Sequence, residues 1–254
     1  MTEVRDAATV ILLRDGTDGI EAWLLTRVAA MAFAGGMTVF PGGRVDDADA
    51  TLPITEAEVT RVAARFDCPD ELARALVGAA ARETFEETGV LLTTPSADLS
   101  GARADVERGF VSFGDLLRGN GLTIDAAALH PWSRWVTPEG ESPRRYDARF
   151  FVAELPADQR AQDVTTESTE AQWLPVAGAL ERAHRGEVKL MPPTLTTLSA
   201  LADYSSVAAV IAAAEEQPLA PIQPTLRIDP DGSVAIELPD GRIIPIPRSM
   251  LPSR

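Results

Sequence analysis

The stretch that most constrains this chain is Ala79-Ala80-Ala81-Arg82-Glu83-Thr84-Phe85-Glu86-Glu87-Thr88-Gly89-Val90. Alanine, arginine and glutamate favour helix, and Gly89 is the residue type that ends one in a left-handed conformation. With ~3.6 residues per turn, Glu83, Glu86 and Glu87 fall within about a third of the helix circumference. Like charges this close repel, and Arg82 offsets only part of the repulsion by reaching Glu86 one turn on. A hard divalent cation removes the remainder. Mg²⁺ takes carboxylate oxygens and keeps waters and substrate phosphates in its other positions. A plain solvated helix face is the bland alternative for the same residues.

Upstream, Val39-Phe40 runs into Pro41-Gly42-Gly43-Arg44-Val45-Asp46. A strand end meeting proline and two glycines makes a tight turn where backbone approaches a ligand closely. Together the two segments resemble the signature of the Nudix hydrolase family, G-x5-E-x7-R-E-U-x-E-E-x-G-U, with U aliphatic. Arg82, Glu83, Glu86, Glu87 and Gly89 stand where that family has them, Val90 fills the last aliphatic place, and Thr84 takes the other. The glycine and glutamate of the first half are missing at their usual distances, where Cys68 and Arg74 stand. An insertion of about 25 residues between the glycine turn and the helix restores the match. Such a split motif resembles the Nudix 19 branch, the coenzyme A diphosphatases. The order Leu24-Leu25-Thr26-Arg27, a glycine-containing loop, then Phe40-Pro41-Gly42-Gly43 is similar to the extra motif of coenzyme A-cleaving members, with compressed spacing.

The resemblance implies an α+β fold, an α/β/α sandwich with a mixed β-sheet between helices. It also implies attack by water on a diphosphate with Mg²⁺ or Mn²⁺ as cofactor. Glu83, Glu86 and Glu87 are then the metal ligands, with the Gly42 carbonyl as a further one. The general base is Glu83, or Glu170 or Glu167 from the late loop Thr165–Glu170, and Arg82 orients a glutamate. Arg27, Arg44, Arg144 and Arg145 are the arginines available for substrate phosphates. The first reading is hydrolysis of coenzyme A or acyl-coenzyme A to 3′,5′-ADP and (acyl) phosphopantetheine. The second is hydrolysis of ADP-ribose, NADH or a sugar nucleotide. A non-catalytic ligand sensor of the same fold is a third, and it fits poorly with three retained helix glutamates.

Thirty-eight acids against twenty-three Lys and Arg give a formal charge of −15. That argues against nucleic acid or an anionic membrane as partner, but not against a phosphate ester, because a bound metal reverses the local field. The partner expected is a small nucleoside diphosphate derivative, and a homodimer is one option for the assembly. One cysteine, Cys68, leaves no internal disulfide, and His130 and His184 lack partners at metal-ligand spacing. No signal peptide or spanning run is apparent, Pro252-Ser253-Arg254 matches no peroxisomal address, and a cytoplasmic protein is the expectation.

Along the chain, Ala7–Leu13 and Ile20–Arg27 read as a hairpin. The insertion, 47–67, reads as a helical cover. Thr55-x-x-Glu58 is a capping-box pattern, Val59, Val62, Ala63 and Phe66 form an apolar stripe, and Asp67-Cys68-Pro69 opens the long helix. A short helix is expected at 112–118, strands at 132–137 and 146–155, a Trp173 strand followed by a helix over 176–185, and helices near 194–202 and 206–216. Residues 1–217 are therefore read as the Nudix domain. Residues 218–254 are read as a linker and a three-stranded meander with two Asp-Gly turns, too small to stand alone.

Overall fold

The computed structural model of the protein describes residues 4–29, 34–138, 145–162 and 168–246. Its strands are β1 (Val4–Gly16), β2 (Gly19–Arg27), β3 (Thr38–Val39), β4 (Gly42–Arg44), β5 (Thr93–Thr94), β6 (Thr123–Ile124), β7 (His130–Val136), β8 (Arg145–Glu154), β9 (Ser168–Pro175), β10 (Pro221–Ile222), β11 (Thr225–Ile228), β12 (Val234–Glu237) and β13 (Ile243–Ile246). Its helices are α1 (Glu56–Phe66), α2 (Asp70–Thr88), α3 (Arg103–Glu107), α4 (Phe113–Gly119), α5 (Val176–His184), α6 (Pro192–Leu201) and α7 (Val207–Glu216).

The main sheet runs β10-β7-β8-β1-β2-β3, with β4 also on β1 and β9 also on β2. It is mixed: β1 and β8 are parallel, whereas β1 and β2 are antiparallel. β1 lies inside the sheet and is apolar on both faces. Val10 and Leu12 enter one core with α1 and α2, while Ile11 and Leu13 enter the other with α5, α6 and α7. This is the α/β/α sandwich that an uninterrupted β-branched run requires, since a strand covered on both faces has no polar alternation.

The insertion folds onto the first core. Val59, Val62, Ala63 and Phe66 are all buried, and the Phe66 ring meets Phe151 edge-on at 5.3 Å. At about 1.5–3 kcal/mol per large apolar side chain, this stripe alone holds α1 down. Two local expectations are corrected. Thr55 precedes α1 but makes no side-chain cap, and Asp67 ends α1 in the left-handed region (φ 48°), so α2 begins only at Asp70. Asp tolerates that conformation because its short polar side chain fits it. At the next helix Ser112 does cap, accepting from the Asp115 N–H at 3.0 Å. The stretch read as a linker contains β10, and Ile236 and Leu238 of the meander are buried in the second core. Among the described residues, no helix is long and apolar enough to cross a membrane.

Candidate active site

The site begins where β1 changes partner. Leu13–Gly16 pairs with β2, whereas Ala7–Thr9 pairs with β4, so the sheet parts between β2 and β4. The two glycines of β4 are needed for different reasons. A Cβ on Gly42 would lie 2.5 Å from the Ala8 carbonyl oxygen, which forbids any side chain against β1. A Cβ on Gly43 would lie 2.3 Å from Glu83 Oε1, so the carboxylate occupies the space a side chain would take. The Gly42 N–H donates to Glu87 Oε2 at 2.8 Å, and Glu87 is 5% exposed. The observed role of Gly42 is therefore to orient a glutamate.

Arg82 gathers the other acids. Its Nη1 donates to Glu83 Oε1 at 2.8 Å and to Glu86 Oε2 at 3.3 Å. Its Nε and Nη2 grip Asp49 as a fork, at 2.8 and 3.0 Å, and Nη2 also reaches the Arg44 carbonyl at 3.0 Å. Asp49 is 1% exposed and also accepts the Asp46 N–H at 2.8 Å. Gly78 makes this approach possible, because a Cβ there would lie 2.3 Å from the Asp49 carbonyl oxygen. Burial opposes the Arg82 charge, but the Asp49 hydrogen bond and the charges of Glu83, Asp49 and Glu86 outweigh it and hold its pKa above the ordinary arginine value. Glu86 is pushed up to about 7, by burial first and then by the Glu83 charge, with Arg82 opposing.

Asp49 is the residue that motif reading missed, although a signal for it existed: it stands six residues after Gly43, the G-x5-acid distance. The motif is thus whole through Asp49, and the extra residues enter between Asp49 and Arg82. Inserting a folded helix there is tolerated because Asp49 and Arg82 still meet as one buried, bidentate pair.

Glu83, Glu86 and Glu87 line one cavity of about 650 Å³, and Gly42, Gly43, Arg27 and Arg44 line it too. A fourth acid, Glu107, joins them from α3; sequence reading did not single it out. Arg103 holds it in place, donating from Nη1 to Glu107 Oε2 at 3.0 Å and to the Glu86 carbonyl at 2.7 Å. The same lining is apolar and aromatic at Trp135, Tyr146, Phe150 and Met191. Glu170 stands apart: it lies on β9 opposite Thr26, is exposed, accepts from Gln172, and is outside the described lining. Arg145 is buried at the start of β8 and donates to the Thr137 carbonyl at 3.0 Å, also outside that lining. Arg144 and Glu167 lie outside the described residues.

Among the described residues, no three Asp, Glu, His or Cys side chains converge as a ready-made metal cage. The donor set nonetheless fits Mg²⁺ or Mn²⁺. Mg²⁺ needs only one or two protein carboxylates beside waters and phosphates. Burial raises Glu86, and the Glu83 charge adds to it, so a cation bound there would stabilise the ionised carboxylate.

The chain is similar to known proteins. The family model of the NUDT19 Nudix domain matches residues 54–201, more than half of the chain. "Acyl-coenzyme A diphosphatase NUDT19" from Xenopus laevis is 26% identical over 76% of this chain and 63% of its own length. "Putative nudix hydrolase 7" from Caenorhabditis elegans is 31% identical over 79% of this chain and 62% of its own. The chain thus spans just over three-fifths of the length of these relatives. Among solved structures, a NUDIX hydrolase from Alicyclobacillus acidocaldarius superposes with a TM-score of 0.70 at 28% identity, covering 84% of this chain and 97% of that one.

Proposed function

This chain belongs to the Nudix family, in the branch of the NUDT19 Nudix domain, and from that premise we propose that it is a metal-dependent diphosphatase acting on coenzyme A or acyl-coenzyme A. One observation carries the chemistry: three carboxylates from one face of α2 line a cavity large enough for a cofactor-sized ligand, beside the paired glycines Gly42 and Gly43 of β4. The relatives named as acyl-coenzyme A diphosphatases support the substrate class.

A diphosphate resists hydrolysis because its charge repels nucleophiles. A bound divalent cation neutralises that charge and makes its bound water acidic. Glu83, Glu86 and Glu87 are the residues that would hold it. Gly42 fixes Glu87 through its N–H, and Arg82 fixes Glu83 and Glu86, so the ligands are oriented before substrate arrives. Water attacks one phosphorus, the bridging P–O bond breaks, and the water's proton passes to a carboxylate of the cavity. Glu83 and Glu107 are the candidates for that base, each within the lining.

The test is product analysis with coenzyme A, acyl-coenzyme A, ADP-ribose, NADH and a sugar nucleotide, with and without Mg²⁺ or Mn²⁺. The expected result is 3′,5′-ADP and (acyl) phosphopantetheine, formed only with metal. Cleavage of ADP-ribose or NADH at a higher kcat/KM than coenzyme A would replace the substrate assignment.

A further inference from the structure

The tail lies beyond residue 201, where the family match stops, yet it reaches the cavity. β10 lies parallel to β7, with Pro221 opposite Arg134 and Ile222 opposite Trp135. Trp135 is itself a wall residue of the cavity. The approach to β10 is fixed from two sides: Gln217 Nε2 donates to the Trp132 carbonyl at 3.0 Å, and Arg65 Nη2 donates to the Gln217 carbonyl at 3.0 Å. Beyond β10, the meander is anchored by Ile236 and Leu238, 1% and 3% exposed, in the same core as Trp135 and Phe150. Between these two anchorages runs Pro224, which lines the cavity. Proline has a fixed φ and no N–H, so it presents a rigid apolar edge with no donor for a ligand.

The position of that edge defines what it meets. The carboxylates enter from α2 past β4, while Pro224 stands with Trp135, Val136 and Pro138, which carry no charge. We infer that the anchored segment 221–246 holds Pro224 fixed in the lining of the substrate cavity, and that Pro224 sets the size of the apolar group a diphosphate substrate carries on its non-nucleotide arm. The inference rests on the diphosphatase reading above and assigns a role to a tail otherwise attached for no visible reason.

The experiment compares kcat and KM for coenzyme A and palmitoyl-coenzyme A in the wild-type chain and in Pro224→Trp and Pro224→Gly. Pro224 is half-buried and belongs to neither apolar core, so both variants are expected to melt like the wild type. Pro224→Trp narrows the cavity and should lower kcat/KM for the palmitoyl substrate about 10-fold relative to coenzyme A, through KM. Pro224→Gly removes the ring and should move the same ratio about 3-fold the other way, the scale of one buried methylene. It also provides the reading if the tryptophan variant does not fold. A ratio within 2-fold of wild type in a folded variant overturns the inference. So does an equal loss of kcat on both substrates with KM untouched, which would place Pro224 with the metal chemistry. A wild type that cleaves no nucleoside diphosphate derivative instead overturns the diphosphatase reading, and this inference with it.

Discussion

Asp49→Asn is the sharpest probe of how a split motif stays functional. Asp49 is 1% exposed, and its Oδ2 accepts both the Asp46 N–H and Arg82 Nη2, while Oδ1 accepts Arg82 Nε. An amide keeps the shape but replaces one acceptor oxygen with a donor, so at least one N–H faces another N–H. The charge opposite Arg82 disappears as well. Removing one partner of a buried ion pair costs about 3–5 kcal/mol. Arg82 retains Glu83, Glu86 and the Arg44 carbonyl, which argues for the lower end, about 3 kcal/mol. For a chain of this size that corresponds to a fall in Tm of roughly 6–12 °C. The loss should reach activity too. An Arg82 released from Asp49 stays on the carboxylates and competes with the cation, so the Mg²⁺ concentration for half-maximal activity should rise. Asp46→Asn is the control: Asp46 is about half exposed and only 4.0 Å from Arg82, so its charge contributes at most about 1 kcal/mol. A Tm change below ~2 °C for Asp49→Asn, or an equal change for Asp46→Asn, would refute the argument.

Glu87→Gln should abolish turnover at saturating Mg²⁺ while the melting curve stays near wild type, because the amide oxygen still accepts from the Gly42 N–H; near-normal turnover would sink the metal assignment. The pH dependence of the metal-free protein follows from Glu86. Its folded pKa of about 7 lies above the ordinary glutamate value, so the native state binds the extra proton, and stability falls as pH rises through that window. Melting in EDTA should therefore occur at lower temperature at pH 8 than at pH 5.5, by about 2 kcal/mol of stability, and Glu86→Gln should flatten the difference. Coenzyme A should be cleaved faster than its 3′-dephospho form by about 10- to 150-fold in kcat/KM, the worth of one charge-assisted hydrogen bond from Arg27 or Arg44; equal rates would remove that arginine role.

What the sequence made legible follows from the range of each interaction. The helix with its three glutamates, its Gly89 stop at φ 75° and the β1–β2 hairpin are local, and they stand where periodicity and turn residues put them. The meander was equally legible, since two Asp-Gly turns and alternating apolar residues fix β11 to β13 without reference to the body. Long-range meetings were not legible in the same way. Nothing in Thr55-x-x-Glu58 says that α1 begins without a side-chain cap, because the buried stripe of α1 already pays for its ordering. Glu107 carries no motif; it becomes a site residue only because Arg103 ties α3 to the end of α2. Asp49 shows the same limit from the other side. Its spacing from Gly43 is plain in the sequence, but a distance of thirty-three residues to Arg82 hides a contact of 2.8 Å. A motif is a set of side chains that must meet, and the chain between them is free to lengthen wherever the added residues bury an apolar stripe of their own in the existing core. Here that stripe is Val59, Val62 and Phe66, each no more than 1% exposed.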